Sequence, residues 1–368
     1  LYYLKTGGQR PPLQLDGAPA TPEGLNGRLP AFQGGFPETG APKIRIWDEG
    51  LLTEYSMTST SGNHEPVVLA HGLRKRYGTV EALRGISLEI NKGEVFGLLG
   101  PNGAGKTTTI EILEGLRRAD SGTVQVCGFD PAREAAGLKQ RIGAQLQSTI
   151  LPDKIRVEEA LRLYASFYER PASVAALIER FGLAEKRRAY FEKLSGGQKQ
   201  RLALALTMVN DPELVLLDEP TAGLDAMVRR EIYDLVEQLR ADGRTVILTT
   251  HYIEEAERLC DRVAIVNGGQ VIALGTPKDL VQGSGRGVRV EVRTSKPVPM
   301  EKFRQLDGVR EAREQDGAYV MDAQIVAKAV VSLVHLLEAE QAELLDLHIA
   351  RPSLEDVFVQ MTGRRIDD

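Results

Sequence analysis

The sequence contains no apolar run that is long enough to cross a membrane as a helix. Such a helix needs about 20 consecutive apolar residues, and runs such as 202–209 are far shorter. The N-terminus also lacks a basic segment followed by an apolar core, so it shows no secretory signal. These two absences predict a soluble, cytoplasmic chain.

The sequence also has few cysteines and no excess of positive charge. The two cysteines, Cys127 and Cys260, lie far apart and lack the spacing of a metal site, which predicts small, at least half-buried thiols in a reducing compartment. The formal net charge of −5 argues against nucleic acid as the main partner. A chain of 368 residues, 42% of them hydrophobic and 26% charged, suffices for one large domain plus smaller additions.

Residues 1–62 differ in composition from the rest of the chain. They are rich in Pro, Gly, Thr and Ser and show no helical or strand period, which predicts a disordered extension. The chain begins with Leu1, and its first methionine is Met57. We therefore expect residues 1–56 to be an upstream extension or a start-site artefact that adds nothing to the fold.

A glycine-rich stretch at residues 100–108 organises the remaining sequence. An apolar run, 94–99, precedes it and a helix-like run, 108–114, follows it, as the phosphate-loop pattern G-x-x-x-x-G-K-[ST] requires. In such a loop, backbone N–H groups hold phosphate, the lysine reaches the β- and γ-phosphates and the hydroxyl ligates Mg²⁺. A simple glycine-rich turn is the alternative, which the flanks disfavour. The predicted nucleotide-binding residues are Gly100, Pro101, Asn102, Gly103, Ala104, Gly105, Lys106, Thr107 and Thr108.

Two consecutive carboxylates, Asp218 and Glu219, follow the apolar run 214–217. At the carboxyl end of a buried strand, Asp218 can complete a Mg²⁺ shell and Glu219 can act as the general base on a water molecule. A solvated loop is the alternative for such a pair on its own. Downstream of a phosphate loop, the pair predicts phosphoryl transfer to water.

Strand-like and helical patterns alternate through this part of the chain. Apolar runs at 214–217 and 245–249 flank an amphipathic helical pattern at 228–239, which predicts a mainly parallel sheet covered on both faces. Beyond a Gly/Ser-rich linker at 283–287, the sequence predicts a small α+β appendage. Its predicted elements are an alternating strand at 288–292, a weaker strand at 319–321, an amphipathic helix at 327–339, a last strand at 344–349 and a terminal helix that begins at 352–356.

A second helix start with phosphate-binding chemistry lies at residues 194–201, Leu-Ser-Gly-Gly-Gln-Lys-Gln-Arg. Its serine and glycines precede an apolar helical pattern, so the hydroxyl and the backbone N–H groups could grip phosphate. This octad closely resembles the signature of ATP-binding-cassette ATPases. The resemblance implies that the signature of one subunit closes on ATP held by the phosphate loop of another. The signature residues concerned are Ser195, Gly196, Gly197 and Gln198.

The same resemblance implies roles for further residues. Gln147 matches the glutamine that contacts Mg²⁺ and the attacking water, although Gln145 is a competing candidate. Asp225 matches the loop that crosses between paired subunits, His251 the switch histidine at the γ-phosphate, and Tyr77 the aromatic residue that stacks on adenine. For the histidine and the tyrosine, a purely structural role is the alternative. The implied catalytic set is Glu219, His251, Lys106 and Gln147, and the implied metal set is Thr107, Gln147 and Asp218.

The ending of the chain, 351–365, resembles that of daunorubicin-resistance-type exporter ATPases, which pair with a separately encoded membrane permease. The fold this implies is α/β: a P-loop NTPase core with a mainly parallel sheet, an antiparallel β subdomain, a helical subdomain and a small α+β C-terminal domain. We expect the ATPase domain at 63–283, its helical subdomain at about 148–192 and the C-terminal domain at 284–368.

The resemblance implies an ATP-hydrolysing subunit of an exporter. Two copies would form a homodimer, bind ATP and Mg²⁺ between them and drive an integral-membrane permease at the inner face of the cell membrane. A drug, an antibiotic or another hydrophobic compound would be the cargo. The alternative is a soluble cassette ATPase that acts on ribosomes or DNA. Such relatives carry two phosphate loops or long coiled coils, whereas this chain has one phosphate loop and no sustained heptads.

Overall fold

The computed structural model describes residues 43–48, 51–56, 66–145, 151–285 and 287–366. Within these residues the chain forms fifteen strands and eleven α-helices. The strands are β1 (Lys43–Asp48), β2 (Leu51–Ser56), β3 (Pro66–Tyr77), β4 (Val80–Asn91), β5 (Val95–Leu99), β6 (Ser121–Val126), β7 (Ile142–Gln145), β8 (Leu214–Asp218), β9 (Thr245–Thr250), β10 (Arg262–Asn267), β11 (Gln270–Gly275), β12 (Val288–Thr294), β13 (Val309–Gln315), β14 (Ala318–Ala323) and β15 (Leu344–Ala350). The helices are α1 (Lys106–Leu113), α2 (Ala135–Lys139), α3 (Val157–Ala165), α4 (Val174–Arg180), α5 (Gly196–Thr207), α6 (Ala226–Ala241), α7 (Ile253–Leu259), α8 (Pro277–Gly283), α9 (Met300–Arg304), α10 (Val326–Ala339) and α11 (Leu354–Thr362).

A six-stranded sheet with the strand order β11-β10-β5-β9-β8-β7 forms the centre of the fold. The five strands from β10 to β7 are parallel, and β11 runs antiparallel to β10. Strands β5, β8 and β9 are buried along their whole length, as central parallel strands are when both faces of the sheet are covered. The predicted mainly parallel sheet is confirmed.

Two apolar clusters cover the two faces of this sheet. Because side chains alternate along a strand, β5 directs Val95 and Leu99 into one cluster and Phe96 and Leu98 into the other. The first cluster contains apolar residues of α3 to α7. The second contains α1 and the antiparallel sheet β4-β3-β6, which confirms the predicted antiparallel subdomain.

The helical region follows β7 in the chain and contains α3, α4 and two short 3₁₀ turns, 184–186 and 191–193. Val157 and Leu161 of α3 are buried at helical spacing, and they join the first cluster with Phe181, which follows α4. The apolar period of the sequence therefore does form the predicted helical subdomain. The first residues of the predicted span, 148–150, lie outside the described residues.

The two cysteines are free thiols, in agreement with the prediction. Cys260 is buried and Cys127 is half-buried. Burial raises the pKa of Cys127 to about 11, so this thiol stays protonated at neutral pH.

The prediction that residues 1–62 lack regular structure is wrong for part of that stretch. Strands β1 and β2 pair antiparallel, with Lys43 opposite Ser56 and Asp48 opposite Leu51. The alternation of apolar and polar residues in Lys-Ile-Arg-Ile-Trp-Asp favours a strand, although the surrounding composition obscures it. The rest of the predicted extension lies outside the described residues.

The C-terminal region contains a four-stranded antiparallel sheet with the order β13-β14-β12-β15. Val290 and Val292 of β12, Met321 of β14 and Leu333 of α10 form its separate apolar core. Two elements here, α9 and β13, were not predicted. Strand β13 is mostly charged and exposed, so its sequence carries no clear alternation of apolar residues.

Helix α11 does not share the core of the four-stranded sheet. Its residues Leu354, Val357 and Phe358 are buried in the first cluster of the central sheet. Ser353 caps the helix, and the N–H of Leu354 donates a hydrogen bond of 2.8 Å to the Glu257 carboxylate on α7. We predicted 284–368 as one domain. Its last helix, α11, instead packs against the ATPase core.

Glu114, directly after α1, is a buried carboxyl group that forms no ion pair with the described residues. It is 3% exposed, and among the described residues neither of its carboxylate oxygens has a hydrogen-bond partner. Burial raises the pKa of Glu114 to about 8, and the charges of Asp218 and Glu111 act in the same direction. The folded protein therefore holds a proton at Glu114 that the unfolded chain releases near pH 4.5.

We expect the Glu114 carboxyl to make the free energy of unfolding fall with rising pH. Its contribution is complete below pH 4.5 and is lost as the pH rises through about 8, by about 1.4 kcal/mol for each pH unit in that window. Glu114→Gln should remove this slope because it keeps the shape without the ionisation. Urea unfolding at several pH values measures the free energy of unfolding and hence this slope. Glu89→Gln, at an exposed position of β4, is the control and should retain the wild-type slope.

Candidate nucleotide-binding and hydrolysis site

The predicted phosphate loop connects β5 to α1, as its sequence context requires. Gly103 and Gly105 have φ angles of 78° and 108°, which residues with a side chain rarely adopt. A Cβ atom on Gly100 would lie 2.2 Å from the carbonyl oxygen of Val266. The glycines therefore permit both the curvature of the loop and its close approach to the end of β10.

The loop presents several backbone N–H groups around the start of α1. Among the described residues, no backbone or side-chain acceptor lies against the N–H groups of Gly103, Gly105, Lys106 and Thr107. They surround the N-terminus of α1, where the helix dipole adds positive potential. A phosphate group fits this arrangement because it offers several oxygen acceptors and negative charge.

Lys106 is buried at the base of the loop. Its Nζ donates hydrogen bonds to the carbonyl oxygens of Gly100 at 2.6 Å and Pro101 at 3.1 Å, and it lies 3.3 Å from Oε1 of Glu219. Burial lowers the pKa of Lys106, while the carboxylates of Glu219 and Asp218 oppose that shift. The cation is thus already positioned among phosphate-binding groups.

Asp218 and Thr107 place two oxygen ligands side by side. Asp218 ends β8, is 2% exposed, and its Oδ1 accepts hydrogen bonds from Thr249 Oγ1 at 2.6 Å and Thr107 Oγ1 at 3.3 Å. Burial raises the pKa of Asp218, and the two hydroxyl groups oppose the shift. Adjacent ligands of an octahedral Mg²⁺ ion lie about 3 Å apart, so this pair fits Mg²⁺. Phosphate and water oxygens would have to complete the shell, since the described residues contain no cluster of three acidic, histidine or cysteine ligands.

Glu219 is held in an uncommon backbone conformation directly after Asp218. Its φ angle is 48°, in the left-handed region, and its N–H donates a hydrogen bond of 2.9 Å to Thr249 Oγ1. Its Oε1 lies 3.4 Å from His251 Nδ1, and that nitrogen makes no hydrogen bond within the described part of the chain. Such strain persists where the surroundings impose it and is common at reactive sites. The structure thus brings Lys106, Glu219 and His251 together, and their catalytic roles stay predictions.

The two glutamine candidates differ in what the structure describes. Gln147 lies outside the described residues, so its role stays a prediction. Gln145 ends β7 beside Leu217 of β8 and is 4% exposed. Its Oε1 has no hydrogen-bond partner among the described residues.

The signature residues lie at the start of α5. Ser195 Oγ accepts a hydrogen bond of 3.3 Å from the N–H of Gln198, and the N–H of Ser195 donates one of 3.0 Å to the Gln198 side chain. Ser195 and Gly196 are exposed, and no hydrogen bond among the described residues joins them to the phosphate loop. Packing also explains why position 197 is a glycine, because a Cβ atom there would lie 2.7 Å from the side chain of Val228 on α6.

Asp225 and Tyr77 occupy positions with clear local roles. Asp225 caps α6, and its Oδ1 accepts hydrogen bonds of 3.0 Å from the N–H groups of Met227 and Val228. Tyr77 ends β3 and is 38% exposed, with Lys75 Nζ 5.7 Å from its ring centroid. Capping of α6 is by itself a sufficient reason for an aspartate at position 225. The contact of Asp225 with a second subunit therefore stays a prediction. The guanidinium carbon of Arg117 lies 5.2 Å from the centroid of the Tyr77 ring, and stacking of Tyr77 on a base stays a prediction.

Comparison with known proteins decides the family. Residues 83–222 match the family model described as ABC transporter. The chain is 36% identical to the linearmycin resistance ATP-binding protein of Bacillus subtilis (strain 168) over 308 residues, which covers 81% of this chain and 99% of that protein. The chain belongs to the ATP-binding-cassette (ABC) transporter family. It is an ATPase of that family.

Further relatives and solved structures agree with this assignment. The daunorubicin resistance ATP-binding protein of Streptomyces coeruleorubidus is 36% identical to this ABC ATPase, with 83% of this chain and 99% of that protein covered. The Nod factor export ATP-binding protein I of Paraburkholderia xenovorans (strain LB400) is 38% identical, with 80% and 97% covered. The structure of an ATP-binding subunit of an ABC transporter superposes with a TM-score of 0.54 at 28% identity, covering 60% of this chain and 93% of that chain. A dimeric bacterial ABC transporter cassette gives 0.51 at 28% identity, with 57% and 98% covered.

Sequence reasoning missed two residues that organise the site of this ABC ATPase. Thr249 joins Asp218 and Glu219 through its hydroxyl group. Glu255 of α7, 1% exposed, accepts hydrogen bonds from Thr221, from Thr250 at 2.6 Å and from Tyr233 at 3.2 Å. Only its position four residues after the histidine could have drawn attention to Glu255. The buried carboxylate connects the loop after Glu219 with the strand end that carries His251.

We expect Glu255→Gln to lower the turnover number of ATP hydrolysis by up to about 100-fold, because small displacements of positioned groups are costly. The amide cannot accept from three hydroxyl groups as the carboxylate does. ATP affinity should change little, because the phosphate loop is not part of this network. Steady-state hydrolysis and equilibrium nucleotide binding separate the two effects. Glu254→Gln, one residue away and exposed, is the control and should behave like the wild type.

Proposed function

We propose that this ABC ATPase is the energy-coupling subunit of an exporter that works with a separate membrane permease. The names of its relatives support the proposal, since they are ATP-binding proteins of linearmycin resistance, daunorubicin resistance and Nod factor export. The cargo would be a drug, an antibiotic or another hydrophobic compound. Within the described residues no helix is long and apolar enough to span a bilayer, so the proposal assigns the transport path to another chain and places this one at the inner face of the membrane.

In the proposed reaction the chain positions a water molecule against the terminal phosphate of ATP. Lys106 and the N–H groups of the phosphate loop would hold the β- and γ-phosphates. Thr107 and Asp218 would hold Mg²⁺, which when bound neutralises charge on the phosphates. Glu219 would accept the proton of the attacking water, and His251 beside it would donate a hydrogen bond toward the γ-phosphate.

We further propose that the complete site forms between two copies of the chain. The observation that carries this is the exposed, capped start of α5, which has phosphate-binding chemistry but, among the described residues, no hydrogen bond to the phosphate loop of its own chain. In a head-to-tail pair, Ser195 and Gly197 of the second copy would close over the γ-phosphate. The likeness to a dimeric ABC cassette supports this arrangement.

Deletion of the gene in its source organism tests export. We expect greater sensitivity to at least one antibiotic in a panel that includes linearmycin and daunorubicin, because the proposed pump lowers their concentration in the cell. Wild-type protein should restore resistance, and Glu219→Gln should not. The tagged variant, purified with ATP in detergent, should carry a multi-span membrane protein in stoichiometric amount. Unchanged sensitivity together with copurified ribosomes would contradict export and favour the soluble alternative.

A further inference from the structure

Strand β15 leaves one edge of the C-terminal sheet open. It pairs with β12 on one side, and no strand in the described part of the chain pairs with its other side. The free backbone groups of such an edge can pair with another strand. Proteins commonly protect edges with Lys, Pro or a bulge on the open side. The sequence of β15, Leu-Leu-Asp-Leu-His-Ile-Ala, contains neither Lys nor Pro. Its pairing with β12 shifts register near the start of the strand, where Arg293 is opposite Asp346 and Thr294 is opposite Leu344. The regular part of the open edge is therefore 346–350.

The side chains of β15 add an apolar surface to this open edge. Leu347 packs against the C-terminal core, and Ile349 lies on the same face because side chains alternate along the regular part of the strand. Leu345 lies at the register shift directly before that part. Leu345 is 64% exposed and Ile349 is 43% exposed. Val334, on the neighbouring helix α10, is also 43% exposed and lines a groove that reaches the start of β15. Apolar area of this extent at a strand edge indicates an interaction surface.

The strand is complementary to itself. If two copies of β15 run antiparallel about a twofold axis through Leu347, Leu345 of each copy lies opposite Ile349 of the other. On the opposite face, Asp346 then lies opposite His348 of the other copy. Both of these polar side chains are exposed, and neither has a hydrogen-bond partner among the described residues. Cross-strand pairs of both kinds stabilise antiparallel strands.

The neighbouring strand extends the charge pattern. Within the sheet, Arg293 of β12 is in register with Asp346, and Glu291 of β12 is in register with His348. Pairing of two copies would therefore create rows of side chains that run across the four strands. Each row would contain Arg293 and Asp346 of one copy, followed by His348 and Glu291 of the second copy. Basic side chains therefore alternate with carboxylates along each row. This complementarity favours a second copy of the chain over an unrelated strand as the occupant.

We propose that β15 is a dimerisation strand, which pairs antiparallel with β15 of a second copy and holds two chains together without nucleotide. The contact goes beyond the ATP-dependent closure proposed above, because it uses the C-terminal sheet and not the phosphate loop or the signature. Such isologous pairing is self-limiting, since it consumes the open edge of both chains. Its effect would be to keep two ATPase subunits near each other between hydrolysis cycles, at a raised effective concentration.

Sedimentation equilibrium of the full chain without nucleotide tests the proposal, over roughly 1 to 100 µM protein so that a weak dimer is populated. We expect a reversible monomer–dimer equilibrium. Leu345→Glu should raise the dissociation constant at least about tenfold, because it places a carboxylate in both apolar pairs. Leu163→Glu, at a 46% exposed leucine of α3, is the matched control and should dimerise like the wild type. A wild-type chain that stays monomeric, or a Leu345→Glu dimer of unchanged affinity, would overturn the proposal.

Substitution of His348 tests the register with effects of opposite sign at one exposed position. His348→Asp should weaken dimerisation by about threefold or more, because two carboxylates then face each other in both pairs, and His348→Lys should tighten it by a similar factor. Equal effects of the two substitutions would contradict the register. A chain shortened to begin at Met57 that dimerises when the full chain does not would show that residues 1–56 cover the edge, which also overturns the proposal.

The ATP-dependent dimer provides an independent readout. Leu345→Glu combined with Glu219→Gln should still dimerise when ATP is added, since closure on nucleotide uses other surfaces. Loss of the dimer only without nucleotide supports the role of β15. Loss of the dimer only with ATP would instead contradict the shared nucleotide site. Failure of one proposal is thereby distinguished from failure of the other.

Discussion

Glu219→Gln should lower the turnover number for ATP hydrolysis by about 10²- to 10⁴-fold, the usual contribution of a general base. The amide keeps the size of the side chain, but it cannot accept a proton from water. The phosphate loop and Lys106 are unchanged, so ATP should bind as before. Single-turnover hydrolysis and equilibrium nucleotide binding measure the two quantities.

The unhydrolysed nucleotide should also hold two Glu219→Gln chains together. Size-exclusion chromatography in ATP is expected to show a dimer that persists when ATP is present. Glu213→Gln is a matched control, because this half-buried glutamate, paired with Arg141, directly precedes β8 just as Glu219 directly follows it. The control should hydrolyse ATP at the wild-type rate. Near-normal turnover of Glu219→Gln would remove Glu219 from the catalytic role.

Ser195→Ala and Lys106→Ala should each abolish most hydrolysis alone and recover activity when mixed. Removal of one donor to a developing charge typically costs about 10²- to 10³-fold, and loss of the buried lysine removes a phosphate ligand. In a mixed pair, the first variant contributes an intact phosphate loop and the second an intact Ser195. One complete site then forms in each heterodimer. With random pairing, about a quarter of all sites should be complete.

A titration of one variant against the other measures this recovery. Ser173→Ala is the matched control for the serine, because Ser173 also caps a helix, α4, but lies away from the signature. It should retain wild-type hydrolysis, which separates the cost of a lost cap from the loss of a phosphate contact. If the mixture is as inactive as its components, the site is not shared between subunits.

The local sequence was sufficient for the elements whose signals are strong over a few residues. The run before Gly100 and the spacing to Lys106 predicted strand, loop and helix, because only glycines permit the positive φ angles and the close contact with Val266. The wholly apolar strand before Asp218 predicted a buried position between parallel neighbours. The weakly patterned strand β13 was missed because its exposed charged residues carry no period.

The roles that the sequence assigned by resemblance depend on proximity in space, which a linear pattern cannot express. His251 lies 32 positions after Glu219 in the chain, yet its Nδ1 is 3.4 Å from the carboxylate. Strand order produces this contact, because β8 and β9 are parallel neighbours whose carboxyl ends meet at one edge. Glu255 was overlooked for the same reason, since its three hydroxyl partners come from separate elements.

By itself the sequence determined the chemistry available to this protein: a glycine loop ending in Lys106, paired carboxylates at Asp218 and Glu219, and a second helix start at Ser195. These signals are local, because backbone freedom and strand burial depend on neighbouring residues. Only the tertiary structure decided that Thr249 joins the carboxylates, that α11 returns to the ATPase core and that β15 leaves an open apolar edge. Those outcomes depend on strand order and on packing between distant segments, in which burial free energy selects partners that no local pattern specifies.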